Sequence, residues 1–257
     1  MDLYYLIVFF IFGLIFGSFF NVVGYRLPNK MSLISPSSHC PQCNHKLTPL
    51  ELVPVFSYVF QGGKCKNCKK KIPIFYPVFE LLTGIVFALI YKVFGISIDT
   101  FIALVFASMI LILMVSDILY MIIPDELLVF SGFVILILKV VSKGFTIIPM
   151  MLLDMIIAAL SLLLIKVIGD YSFKRESLGW GDVKLMLIFG MVLGWPVSLF
   201  TIFLAAFIAL PISLITMSKN KSHELPLGPY LGVAALICLF ARIDVNFLLQ
   251  LLRLTTN

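Results

Sequence analysis

Two aspartates stand where a carboxylate is costly. Asp117 closes a nearly unbroken apolar run from Phe101 to Ser116, and Asp182 lies in Gly179-Trp-Gly181-Asp182-Val-Lys184, at the head of another apolar stretch. An ionisable group inside such a stretch is a functional candidate by default. Two carboxyls that share one proton can activate water against an amide: one accepts the water's proton while the other, protonated, polarises the carbonyl. The glycines beside Asp182 let backbones approach closely and leave room for an extended peptide. Other carboxylates have plainer readings. Asp is a favoured N-cap, so Asp182 itself and Asp125, which follows Pro124, can each simply begin a helix. Asp154, in Met151-Leu-Leu-Asp154, reads as a buried polar contact between helices. Lys184 is two residues from Asp182 and so does not face it on a helix; it has snorkelling to lipid phosphate or tuning of a nearby carboxylate as its options.

A second cluster offers metal chemistry. Cys40-Pro-Gln-Cys43 and Cys65-Lys-Asn-Cys68 are two Cys-x-x-Cys pairs at zinc-ribbon spacing. Each tight turn can supply two thiolates, and together they close a tetrahedral site with no open position, so the expected zinc is structural. It would organise a loop of some fifty residues (25–76) with too little apolar content to fold alone. Disulfides or free thiols are the bland alternative. His39 and His45 flank the first pair and read as solvated loop histidines, while Cys238 reads as packed or lipid-facing.

The elements that hold these residues follow from composition. Of 257 residues 61% are apolar and 12% charged, against about 45–50% and 25% in an average globular domain. That excludes an ordinary cytosolic globule and disorder. Without the strict alternation of a membrane barrel, the remaining solution is an all-α polytopic membrane protein of about eight transmembrane helices. The spans are expected near 3–24, 77–95, 99–117, 125–141, 146–168, 181–195, 197–217 and 228–250, with no internal repeat. The first lacks a basic n-region and a small-residue cleavage site, so it reads as retained rather than as a signal peptide. The formal net charge is +6, yet residues 25–76 hold eight basic residues against one acid, Glu51. Basic loops stay in the cytoplasm. This puts the cysteine-rich loop, 117–125, 169–181 and 218–227 on that face, with Lys174, Arg175, Lys219 and Lys221 in agreement and Lys139 and Lys143 against. Asp117 and Asp182 then share the cytoplasmic end of their helices, whereas Asp154 falls near the outer end. The basic run adjoins spans, so anionic lipid explains it better than nucleic acid, and no nucleic-acid partner is expected.

Together these residues resemble the type IV prepilin peptidases. The resemblance covers nearly the whole chain: Gly13-Leu-Ile-Phe-Gly17-Ser18-Phe-Phe-Asn21 to Arg26-Leu27-Pro28, the two cysteine pairs, Tyr76-Pro77-Val-Phe-Glu80-Leu-Leu-Thr-Gly84, Asp117 to Pro124-Asp125, Gly-x-Gly-Asp, and Leu227-Gly228-Pro229-Tyr230, in that order. Departures, such as Gly62 and Phe75 in place of the usual arginines, fall in the cysteine loop or its exit. The resemblance implies a membrane aspartyl endopeptidase of the inner membrane whose dyad is Asp117 and Asp182, with no metal used for cleavage. Its substrates would be prepilins and pseudopilins, which lose a short basic leader on the cytoplasmic side. It also implies N-methylation of the new terminus from S-adenosylmethionine, for which Glu51 is the candidate contact. The implied division is a first helix at 1–24, a cytoplasmic cysteine loop at 25–76 associated with methyl transfer, and a peptidase domain at 77–257. A peptidase without methyltransferase activity, and a non-enzymatic assembly factor or transporter using Asp117 for ions, are the alternatives.

Overall fold

The computed structural model describes residues 2–174, 176–219, 226–245, 247 and 250. Arg175 and Lys221, expected in cytoplasmic loops, and parts of the last expected span lie outside the described residues. The chain folds as two units, Met1–Thr100 and Phe101–Asn257.

The first unit is built on two long apolar helices, α1 (Asp2–Arg26) and α3 (Phe75–Phe94), joined by the cysteine loop, which carries a short helix α2 (Phe56–Phe60). They run antiparallel: the rings of Phe9 and Tyr91 stack at 5.0 Å, Gly13 lies on Gly84, and Asn21 Nδ2 donates to Tyr76 O at 3.4 Å. Small residues set the spacing. A Cβ at Gly13 would stand 2.7 Å from the Gly84 Cα, and one at Gly17 would stand 2.9 Å from the Glu80 Cα. The seam is thus a Gly-x-x-x-Gly contact of the kind that lets spans approach without a hydrophobic driving force. Glu80 anchors the loop from α3, its carboxylate accepting the Val55 N–H at 2.7 Å. Buried Arg26 closes the other end, donating to the carbonyls of Ser32, Leu33 and Pro36.

The second unit contains α4 (Ile98–Tyr120, whose first residues belong to the first unit), α5 (Asp125–Lys143), α6 (Ile148–Phe173), α7 (Trp180–Leu193), α8 (Trp195–Lys219) and α9 (Gly228–Phe240). Its core is the buried middle of α4, with Phe106, Met109, Ile110, Leu111 and Leu113, and Phe106 meets Phe189 of α7 edge to face at 5.5 Å. α6 packs along α7, where a Cβ at Gly190 would stand 2.5 Å from the Asp154 carbonyl oxygen.

The fold is all-helical, with isolated bridges and no strand among the described residues. A helix lies in each of the eight expected stretches. Five, namely α1, α3, α4, α6 and α8, are long and apolar enough to cross a membrane. The other three differ from full spans. α5 begins with Asp125 and Glu126 and ends on Lys143, while α7 and α9 have 14 and 13 residues, about 20 Å at 1.5 Å per residue and short of a hydrocarbon core of about 30 Å. The stretch expected at 228–250 breaks after Phe240, where Arg242 adopts a φ of 48° and Asp244 Oδ1 accepts the Phe247 N–H at 2.8 Å, the start of another helical segment. Apolar residues resume beyond Arg242 and Asp244, which is why a window average extends the span.

Candidate active site and metal centre

Asp117 sits in the last turn of α4. The helix stops there because the Ser116 hydroxyl donates to Ile122 O at 2.5 Å and Met121, at a φ of 55°, donates its N–H to Asp117 O at 2.9 Å. Its side chain is 5% exposed. The opposite wall is the start of α9. The Gly228 N–H donates to the Asp117 carboxylate, and a Cβ on Gly228 would lie 2.5 Å from Asp117 Oδ2. A helix N-terminus is a favourable neighbour for negative charge.

Asp182 arrives on the first turn of α7. The N-cap is Gly179, extended at φ −72° and ψ 147°, so Asp182 is not the cap itself but the third helical residue. It does half of a capping box, reaching back to accept the Gly179 N–H. Its other oxygen, Oδ1, is buried with no hydrogen-bond partner among the described residues, in a residue 6% exposed. Gly181 brings this turn against the end of α4, since a Cβ there would stand 2.8 Å from the Ile123 Cβ. Both carboxyls lie at this junction of helix ends, and the Asp117 charge acts on Asp182.

The other expected polar residues lie elsewhere. Asp125 is the first residue of α5, and Lys184 Nζ holds both of its oxygens at 2.8 and 2.7 Å. Asp154 joins helices, its Oδ1 accepting the Trp195 N–H at 3.3 Å at the break between α7 and α8, but it is half-buried rather than buried as expected. Cys238 is packed, 1% exposed. Sequence reasoning passed over Lys166, which is 3% exposed near the end of α6 and acts electrostatically on Asp182. The signal was present, because Lys166 is the only charged residue between Asp154 and Asp170.

The four loop cysteines gather as expected, all Sγ atoms within 4.8 Å of one another. Each pair sits in the same knuckle: Cys40 N bonds His45 O and Asn44 N bonds Cys40 O, just as Cys65 N bonds Lys70 O and Lys69 N bonds Cys65 O. Asn44 and Lys69 take equivalent positive φ values of 55° and 58°. The knuckles thus repeat each other in structure with little repeat in sequence. Four sulfurs this close do not hold four protons evenly. The His45 backbone hydrogen bond brings Cys43 down to about 7, while Cys68, despite the Lys70 amide, is pushed to about 11 by burial and the neighbouring sulfurs. The cluster fits a tetrahedral structural zinc, which takes thiolates and relieves their crowding.

Glu51 lies beside it. Its Oε2 accepts from the Thr48 N–H at 2.9 Å, the Thr48 hydroxyl at 2.8 Å and His45 Nε2 at 3.3 Å, which hold the carboxyl down at about 2. His45 is therefore a partner of Glu51 rather than a free loop histidine, and His39 is exposed, its Nδ1 2.9 Å from Ser37 O. Glu51 Oε1 is buried without a partner among the described residues. With Leu50, Val53, Phe56, Lys64 and Cys65 it lines a cavity of about 650 Å³, within the usual range for a small-molecule site.

An all-helical membrane protein with two carboxyls buried at converging helix ends defines the class. Comparison with known proteins narrows it. A model described as the bacterial peptidase A24 N-terminal domain matches residues 11–94, and the type IV leader peptidase family matches 104–214. A protein of Bacillus subtilis named prepilin leader peptidase/N-methyltransferase is 35% identical over 233 residues, covering 90% of this chain and 92% of its own. Proteins of the same name from Aeromonas hydrophila and Pseudomonas aeruginosa are 30% and 28% identical, covering 92% and 88% of this chain and 90% and 87% of theirs. No solved structure matches. The chain belongs to the type IV leader peptidase family.

Proposed function

We propose that the chain is a membrane aspartyl endopeptidase that removes the leader of prepilins and pseudopilins and then N-methylates the new terminus. The observation that carries the cleavage step is that Asp117 and Asp182, both buried at helix ends, feel each other's charge, while Asp182 Oδ1 is buried without a partner among the described residues. One carboxylate takes a proton from water as it attacks the scissile carbonyl. The other, protonated, donates to the carbonyl oxygen; the first then gives its proton to the amine nitrogen as the C–N bond breaks, and the second takes its proton back from the diol. The amides of Gly228 and Gly179 hold the two carboxyls in place. Peptide cleavage belongs to the helices after the cysteine loop and involves no metal. The basic charge of residues 25–76 supports a cytoplasmic placement for that loop and for the active site in the inner membrane.

Methyl transfer is assigned to the loop, which structural zinc on Cys40, Cys43, Cys65 and Cys68 keeps folded. S-adenosylmethionine supplies the methyl group. The cavity beside Glu51 fits it in size, and the buried, unpartnered Oε1 is an acceptor for a donor group of the cofactor or for the substrate amine. The test is mass spectrometry of a prepilin peptide incubated with the detergent-solubilised protein, with and without S-adenosylmethionine. Leader loss in both and one added methyl in the second are expected. Product without the methyl leaves a peptidase only, and intact peptide contradicts the proposal. Full methylation by Glu51→Gln would remove Glu51 from that role.

A further inference from the structure

A lysine buried in an apolar helix must satisfy three donors, and Lys166 shows where they go. Its ammonium donates to Leu178 O at 2.6 Å, pairs with Asp170 Oδ2 at 3.0 Å, and stands 5.4 Å from the centre of the Trp180 ring. Leu178 and Trp180 belong to the short segment that leads into α7. The same segment is fastened a second time: Asp170 Oδ1 accepts both the Ser177 N–H at 2.6 Å and the Ser177 hydroxyl at 2.8 Å. A third restraint is steric, because a Cβ at Gly169 would stand 2.5 Å from Ser177 Oγ. Everything the end of α6 offers, from Lys166 through Gly169 to Asp170, grips residues 177–180.

That grip ends two residues before Asp182. The N–H that holds the Asp182 carboxylate comes from Gly179, between the two residues that Lys166 touches. We propose that Lys166 is a positioning residue for Asp182: its ammonium clamps the segment before α7, so that the Gly179 amide and the Asp182 carboxylate are held where cleavage requires them. The inference rests on the proposed role of Asp182. Because Lys166 is itself buried, it acts through this segment and not by touching substrate.

The test is steady-state cleavage of a prepilin peptide by full-length protein in detergent, for Lys166→Met, Lys166→Arg and Ser177→Ala, each also in a Trp195→Phe background where Trp180 is the remaining tryptophan. Lys166→Met is expected to lower kcat by about 30-fold or more with KM within about threefold, and to lower the fluorescence anisotropy of Trp180. Lys166→Arg, which keeps the charge and the donors, is expected to recover most of kcat and of the anisotropy. Ser177→Ala is expected to give a smaller loss of kcat alone, and it carries the test if Lys166→Met does not accumulate. Wild-type kcat in Lys166→Met, or in Ser177→Ala where only that variant is obtained, overturns the proposal. So does a loss of activity with Trp180 as immobile as before. If Asp182→Asn is active the underlying reading fails; if Asp182→Asn is dead while Lys166→Met is fully active, only the clamp fails.

Discussion

At the scale of single residues, the two oxygens of Asp182 divide their duties. One satisfies the first turn of α7 through Gly179, and the other is left buried and open for chemistry. The cap reading and the catalytic reading of that residue are therefore compatible. Glycine sets the clearance at the partner carboxyl: adding one methyl at Gly228 would drive a carbon to 2.5 Å from Asp117 Oδ2. Gly228→Ala is expected to reduce peptide cleavage at least about tenfold while costing no more than about 1–3 kcal/mol of stability, as overpacking does. Activity assays beside thermal unfolding check it. Glu51 titrates at about 2 against an ordinary 4.5 because Thr48 donates to it twice. A depressed carboxylate contributes stability that is present above its unfolded value and lost as pH falls through the folded one. With the loop folded, wild type is expected to be more stable than Glu51→Gln at pH 6, with the difference shrinking from about pH 4.5 towards about 2 in thermal melts.

At the scale of elements, function sits where helices end. The end of α4 and the starts of α7 and α9 build the carboxyl site, and two knuckles build the sulfur site. This explains what could be read from the sequence. Apolar runs report which segments prefer lipid, so eight helices fall where expected. The Cys-x-x-Cys spacing reports its own turn, so the four-sulfur cluster is legible as well. Run length does not report where a helix breaks, and so the stop at Phe240 and the short α2 were missed. Neither does it report contacts between helix ends, which is why Gly228 against Asp117 and the Lys166 grip on Leu178 come only from the structure. The cysteine element makes its own prediction. Removing zinc with a chelator, or Cys40→Ser, is expected to open the loop at 27–74 to protease while the helices stay folded. Methyl transfer is then lost and leader cleavage retained. Equal loss of both activities would mean that the loop also serves cleavage.

At the scale of the whole molecule, the division into units at Thr100 falls in the gap between the two family matches, which end at 94 and resume at 104. On the proposal that methyl transfer belongs to the cysteine loop and hydrolysis to the helices after it, the two activities are separable by substitution. The apolar, weakly charged character of the chain suits a bundle in lipid, where the apolar part of a peptide substrate can stay while two carboxyls act at the helix ends. The most direct measurement is cleavage of a prepilin peptide by purified wild type, Asp117→Asn, Asp182→Asn and the double variant, each shown to be folded. The account expects each single change to lower kcat by about 1,000-fold or more and the double change to add almost nothing, as for groups that act as one unit. Either single variant cleaving at a rate near wild type would contradict it.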